Sequence, residues 1–102
     1  MTISELSKRL AGCVDAVVPS LLPNAVKDGR EWKIGSTSGE AGESLGIERE
    51  GEKAGVWNDR AGDQGGDILE LVKAVHGFST KQAADWACDF LSIPRNGFVK
   101  PP

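Results

Sequence analysis

The residues of this chain that could hold a metal or act as a nucleophile are two cysteines and one histidine. Cys13 and Cys88 lie near opposite ends of the sequence, and His76 is the only histidine. A structural zinc needs closely spaced ligand pairs, which these three residues do not supply. A Cys–His pair could still meet in space, but both thiols have apolar sequence neighbours and nothing marks either as activated. The sequence therefore predicts reduced thiols, no metal, no cofactor and no catalytic residues.

Binding of phosphates and bases has better candidates, because basic and aromatic residues lie side by side. Arg30 and Lys33 flank a tryptophan, and Trp57 is followed closely by Arg60. Basic side chains bind phosphates, and indole rings stack on unpaired bases. The opposing interpretation is a core tryptophan beside a solvated strand face. It is favoured for individual residues, because the segment from Arg30 to Arg60 holds five basic and seven acidic side chains.

Length and composition limit the classes of protein to which this chain can belong. It has 102 residues, 39% of them hydrophobic and 26% charged, with a formal net charge of −3. These values predict one globular domain in the cytoplasm, with no membrane span and no secretory leader. The negative charge argues against strong binding to nucleic acid, for which a basic chain is expected.

The elements that must position these residues follow from the hydrophobic spacing. Residues 2–18 have the helical period, with Thr2 at the start, and predict a single N-terminal helix. A second helix is predicted from the capping residue Asp67 to Gly77, and a third from Ser79 to the Ile93-Pro94 pair.

The middle of the chain, residues 29–66, holds ten of the thirteen glycines and is expected to form strands. Three short runs have strand-like patterns, and they lie at 31–34, 44–48 and 54–58. The loops at 35–43 and 59–66 are too rich in glycine for helices. We therefore predict an α+β fold over residues 1–94, with a three- or four-stranded antiparallel sheet, one N-terminal helix and two C-terminal helices. Residues 95–102 are expected to be a tail or the start of a linker in a longer protein.

Four short segments, in this order, resemble the N-terminal domain of phage- and plasmid-type DNA primases and primase-helicases. They are Gly29-Arg30-Glu31-Trp32, Gly42-Glu43-Ser44-Leu45, Gly55-Val56-Trp57-Asn58-Asp59 and Gly65-Gly66-Asp67. The likeness covers roughly residues 20–93. Those domains are similar in turn to the zinc-ribbon domain of bacterial replicative primase, so the resemblance implies a zinc-ribbon-like sheet and a role in DNA replication.

The chain departs from the zinc-bearing relatives at the ligand positions. Alignment on the strand and helix that follow the ligands places Gly35 and Ser38 at one pair of positions and Asp59 and Gly62 at the other. This set cannot make a tetrahedral thiolate–imidazole site. Apolar packing is expected to replace the metal, between a set of sheet residues (Trp32, Ile34, Leu45, Ile47, Val56 and Trp57) and a set of helix residues (Val72, Val75, Trp86 and Phe90).

The function implied by the resemblance is non-catalytic recognition of single-stranded template DNA, bound weakly. Its candidate residues are Arg30, Lys33, Trp57 and Arg60. Any primase activity would belong to a catalytic primase or helicase domain of the same or another chain, which is also the expected protein partner. The alternative is a protein-interaction module on the same scaffold. A clustered basic face would favour the first function, and an exposed apolar patch would favour the second.

Overall fold

Four helices and a five-stranded sheet make up residues 2–94, the part of the chain that the computed structural model describes. The helices are α1 (Ile3–Ala11), α2 (Val14–Leu21), α3 (Ile68–His76) and α4 (Thr80–Leu91). The strands are β1 (Val26–Asp28), β2 (Glu31–Ile34), β3 (Leu45–Glu48), β4 (Trp57–Asp59) and β5 (Gln64–Gly66). The predicted α+β class is confirmed, whereas the predicted tail lies outside the described residues.

Three of the helices begin where the sequence places a capping side chain. Thr2, Asp67 and Ser79 each accept a hydrogen bond from the backbone N–H three residues later. Ser79 and Gln82 form a reciprocal capping box. Gly77 ends α3 with a φ of 71°, a left-handed conformation that glycine adopts without steric cost. The predicted boundaries of α3 and α4 are therefore confirmed closely.

The prediction of a single N-terminal helix is wrong, because the chain turns between α1 and α2 at Gly12 and Cys13. Cys13 has φ −124° and ψ 38°, outside the helical region, so the hydrogen-bond ladder is interrupted. Pro19, expected to follow the helix, lies inside α2, which ends at Leu21. The turn lets α1 pack on α3 and α4 while α2 reaches the sheet.

The sheet is an antiparallel meander in the order β1-β2-β3-β4-β5. It has more strands than the three or four predicted. The segment 59–66, expected to be a loop, contains β5, and the third strand begins at Trp57 rather than Ala54. β1 was not predicted because all three of its residues are exposed, so it lacks the alternating pattern of a half-buried strand.

One face of the sheet supplies the strand side of the core. The register aligns Trp32, Ile47 and Trp57 across three strands, and all three are buried. Val56 is an exception to the predicted core, since it is 41% exposed and faces away from this layer. On the helix side Val72 is fully buried, whereas the other three residues predicted for the core, Val75, Trp86 and Phe90, are only partly buried.

The helices cover this face of the sheet. α3 packs beside β5, and α1 and α4 pack against α3. Their buried residues include Leu6, Leu10, Leu71 and Ala87. Within residues 2–94 no helix is long and apolar enough to cross a membrane.

Candidate nucleic-acid interface

The two loops in which the sequence analysis placed the four aligned positions, 35–43 and 59–66, lie at one end of the sheet. The register aligns Ile34 with Leu45 and Leu45 with Asp59, so β2 ends, β3 begins and β4 ends at the same level. The backbone N–H of Arg60 donates to the carbonyl of Ser44 at 3.0 Å and joins the two loops. The sheet therefore brings the four aligned positions to one region.

The loop at 59–66 is closed by the carboxylate of Asp59. This residue is 4% exposed, and its Oδ1 accepts hydrogen bonds from the N–H groups of Ala61 at 3.1 Å and Gly62 at 3.2 Å. A carboxylate that accepts two backbone donors ties the turn together in the way a bound ion would. Gly62 brings no side-chain ligand.

The loop at 35–43 is closed through Glu40. The backbone N–H of Gly35 donates to the Glu40 carbonyl at 2.8 Å. The Ser36 hydroxyl donates to Glu40 Oε1 at 2.7 Å and accepts from the N–H of Ser38 at 3.1 Å. The hydrogen bond from Ser36 lowers the pKa of Glu40. A Cβ at Gly35 would lie 2.8 Å from Cγ of Glu40, so this position has no room for a ligand side chain.

These residues do not fit a zinc ion. Hydrogen bonds engage the Asp59 carboxylate, two of the four aligned positions are glycines, and Ser38 offers a hydroxyl where a thiolate or an imidazole would be needed. Throughout residues 2–94, no group of three or more histidine, cysteine, aspartate or glutamate side chains is arranged to hold a metal ion.

The face of the sheet opposite the core carries the best-placed basic candidate. Lys33 is aligned with Gly46 on β3, and Gly46 is aligned with Asn58 on β4, which is aligned with Gly65 on β5. With two glycines in this row, the surface between Lys33 and the far edge has few side chains. Asn58 is exposed and offers an amide to a ligand.

Lys33 already has a partner on this face. Its Nζ lies 3.1 Å from Oε1 of Glu31, and both side chains are partly buried. The Glu31 carboxylate extends over Gly46, where a Cβ would lie 3.0 Å from Oε2. A phosphate would therefore compete with Glu31 for the lysine.

The two arginine candidates lie at opposite ends of the sheet. Arg60 follows β4 beside Ser44 and is exposed. Arg30 lies in the turn between β1 and β2, at the end that also carries the β3–β4 hairpin. It lines a shallow cleft together with Lys53 and five acidic residues, which are Asp28, Glu31, Glu48, Glu50 and Glu52. The structure therefore does not gather the basic candidates into one patch. Arg60 lies away from the acidic end, whereas Lys33 pairs with Glu31, which belongs to the acidic cleft.

The indole of Trp57 is part of the core. It is 4% exposed, and its Nε1 donates to the backbone carbonyl of Asp67 at 2.9 Å, which ties β4 to the start of α3. Trp32 is also buried, at 7%, and Nζ of Lys27 lies 5.4 Å from the centroid of its ring. In this structure neither ring has a face open for stacking on a base.

The two thiols differ in burial. Cys88 is fully buried, and Cys13 is half-buried with Sγ 3.5 Å from the carbonyl of Arg9. Burial raises the pKa of the Cys13 thiol, which disfavours the reactive thiolate.

A surface that the sequence reasoning missed lies where α3 meets α4. His76, Phe78, Trp86 and Phe90 form a continuous series of rings, and none of them is fully buried. Trp86 and Phe90 were expected in the core because they have helical spacing. Three alanines at 83, 84 and 87 and the adjacent Cys88 take the core positions instead. That run of small residues is the signal that α4 packs closely through a face other than its aromatic one.

Comparisons with models of protein families, with curated proteins and with solved structures found no match for this chain.

Proposed function

We propose that this chain is a non-catalytic domain that recognises single-stranded template DNA in a phage- or plasmid-type primase or primase-helicase of the cytoplasm. The motif order that resembles such domains supports the partner. The observation that carries the choice of surface is the outer face of the sheet. There Lys33 and Asn58 are aligned on either side of Gly46, Arg60 follows β4, and the Glu31 carboxylate paired with Lys33 lies over Gly46.

This surface suits an extended strand better than a duplex. The glycines at 46 and 65 remove two side chains from the row between β3 and β5, so a sugar–phosphate chain can approach the sheet once it displaces the Glu31 carboxylate from Lys33 and Gly46. Lys33 and Arg60 supply two positive charges that can contact phosphates. Trp57 contributes by holding β4 against α3, not by stacking.

The acidic end of the sheet determines where the DNA strand lies and limits the strength of its binding. The five carboxylates around Arg30 repel a phosphate backbone, so the strand runs over the end that carries Arg60. With about two or three phosphates neutralised, affinity falls by roughly tenfold as salt rises from about 50 to 200 mM. Strand synthesis would belong to a catalytic domain other than this one.

The experiment is a titration of fluorescently labelled oligothymidine, read as anisotropy at low and moderate salt. A Lys33→Ala/Arg60→Ala variant is compared with Lys8→Ala/Arg9→Ala, which removes the same charge from the exposed surface of α1. Arg30→Ala is titrated separately. We expect only the first variant to lose binding, by roughly tenfold. Equal affinity of the two double variants, or no binding by the wild-type protein at low salt, would reject this surface.

A second function, that of a protein-interaction module, is favoured by a different observation. The rings of His76, Phe78, Trp86 and Phe90 form a partly exposed apolar surface on the helical side of the domain. Aromatic residues are enriched in protein interfaces. The two functions use different surfaces and are compatible in one domain.

A further inference from the structure

Glu31 and Lys33 of β2 form an ion pair on the outer face of the sheet. Side chains at alternate positions of a strand point to the same face, and Glu31 Oε1 lies 3.1 Å from Nζ of Lys33. The lysine side chain is 16% exposed and that of the glutamate 31%. The positive charge that the proposed DNA site needs from Lys33 is therefore covered by a carboxylate of the same strand.

The second oxygen of this carboxylate lies over Gly46 of β3. The register aligns Lys33 with Gly46, and a Cβ at Gly46 would lie 3.0 Å from Glu31 Oε2 and 3.2 Å from its Cδ. Because Gly46 has no side chain, the sheet has room for an anionic group directly beside the lysine. A phosphate group offers acceptor oxygens of the same kind to a lysine ammonium. Glu31 thus occupies the position at which a phosphate would contact Lys33.

The strength of this ion pair decides which ligands can replace it. A partly exposed pair is weak, so its displacement lowers the affinity of Lys33 for any phosphate by roughly fivefold. A free phosphate has a single contact with which to offset that loss. A strand that is also held at Arg60 presents its next phosphate to Lys33 at a high effective concentration. Such a strand can therefore displace Glu31 at concentrations at which free phosphate cannot.

We propose that Glu31 is a specificity-determining residue of the sheet surface. It is an internal competitor that occupies the phosphate position beside Lys33 until a chain of linked phosphates displaces it. Inorganic phosphate and mononucleotides leave the pair with Lys33 intact at the concentrations at which a strand binds. This inference rests on the proposed recognition of DNA and deepens it, because it specifies a polynucleotide chain as the ligand of this surface.

The first test compares Glu31→Gln with a control that removes the same charge. Glu48 is aligned with Glu31 on the neighbouring strand and is also half-buried, so Glu48→Gln is the matched control. Binding of labelled oligothymidine is measured by anisotropy at low salt. We expect Glu31→Gln to raise the affinity roughly fivefold, and Glu48→Gln to raise it by less than about twofold. Glu31→Thr, which also suits a strand, is a second variant, and thermal melts establish which variants are folded.

A double-mutant cycle tests whether the effect acts through the lysine. Lys33→Ala removes the group for which Glu31 and the phosphate compete. In that background Glu31→Gln should change the affinity for oligothymidine no more than Glu48→Gln does. A fivefold gain that persists without Lys33 would reflect only the change in net charge, and it would overturn the proposal.

Inorganic phosphate and thymidine monophosphate test the anion position without a strand. Each is titrated at constant ionic strength into the wild-type and Glu31→Gln proteins, and the amide chemical shifts of Lys33 and Gly46 are followed by NMR. We expect these shifts to respond at a roughly fivefold lower ligand concentration in Glu31→Gln than in the wild-type protein. Equal responses of the two proteins would show that Glu31 does not compete for this position.

The inference and the proposed recognition of DNA fail in different ways. If oligothymidine binds neither protein while phosphate responds to Glu31→Gln, the sheet does not recognise DNA, and a polynucleotide is rejected as its ligand. If the wild-type protein binds oligothymidine through Lys33 and Arg60 but Glu31→Gln has no larger effect than Glu48→Gln, the recognition of DNA stands. The role of Glu31 as a competitor is then rejected.

Discussion

Arg49, directly after β3, forms a two-point ion pair with Asp15 of α2. Its Nε lies 3.0 Å from Oδ1 and its Nη2 lies 3.1 Å from Oδ2, while its Nη1 donates to the carbonyl of Gly29 at 2.8 Å. The same carboxylate accepts from Nε1 of Trp32 at 2.9 Å. Asp15 thus joins α2 to β2 and to the residue that follows β3, and Arg49 extends the network to the turn before β2. Arg49 is held in this network and is therefore a poor candidate for binding phosphate.

Removal of the Asp15 carboxylate should destabilise the fold in a pH-dependent way. The hydrogen bond from Arg49 is the main cause that lowers the pKa of Asp15 below its unfolded value of about 3.9. Its stabilising contribution is therefore present above that pH and is lost as the pH falls through the folded-state pKa. Because the side chain is 48% exposed, we expect Asp15→Ala to cost only about 0.5–1 kcal/mol at neutral pH.

Urea unfolding of wild-type and Asp15→Ala proteins, repeated from neutral pH to below about 4, measures this contribution. Asp28→Ala, which removes an exposed carboxylate from β1, is the matched control. A difference between wild-type and Asp15→Ala proteins that stays constant across this range would contradict the role of the ion pair.

The stability of the protein should be sensitive to substitution of Asp59, whose carboxylate closes a turn. Asp59→Ala removes the acceptor for two backbone N–H groups at a position that is 4% exposed. We expect a loss of about 2 kcal/mol, and a smaller loss for Asp59→Asn, whose amide oxygen can still accept. Unfolding free energies of both variants, with the exposed neighbour Asn58→Ala as control, measure the effect. Equal losses for Asp59→Ala and Asn58→Ala would count against this account.

The same two turns predict that the protein folds without a metal. Hydrogen bonds to Asp59 and from Ser36 close the loops that a zinc ion would otherwise hold. We expect elemental analysis of the purified protein to find no stoichiometric zinc, and a strong chelator to leave the melting temperature unchanged. A zinc-dependent fold would lose most of its stability on chelation, and that result would show the alignment of ligand positions to be wrong.

Local signals in the sequence were sufficient to predict α3 and α4. Asp67, Ser79 and Gly77 mark helix boundaries through interactions within a few residues, so their effect can be read without the tertiary structure. The break at Gly12–Cys13 could not be read in this way. The apolar spacing continues through these two residues, so it gives no sign of the turn. The turn is explained by tertiary contacts, in which Asp15 of α2 accepts hydrogen bonds from Trp32 and Arg49.

The candidate site was less accessible to sequence reasoning, because a residue's type does not show which face of a strand is covered. Trp57 and Arg60 are close in sequence, yet the first packs under the helices and the second is exposed. Arg30 and Lys33 are equally close, but Arg30 lies in a turn among acidic side chains and Lys33 lies on the outer face of β2. Those differences depend on strand register and on which loops meet at each end of the sheet.

Gly55 should tolerate no side chain, because two independent constraints meet at this position. Its φ is +87°, and a Cβ there would lie 3.1 Å from the Cβ atoms of both Ala11 on α1 and Ile68 on α3. The conformational constraint costs about 1 kcal/mol, and forcing apart a packed contact costs about 1–3 kcal/mol more. We therefore expect Gly55→Ala to destabilise the protein by about 2–4 kcal/mol in urea unfolding.

Gly29→Ala separates the two causes, since Gly29 has a φ of +63° but a Cβ there would have no neighbour within 4 Å. This variant should lose only about 1 kcal/mol of unfolding free energy. Equal losses for the two variants would mean that the approach of α1 and α3 to the β3–β4 hairpin at Gly55 is looser than these distances indicate.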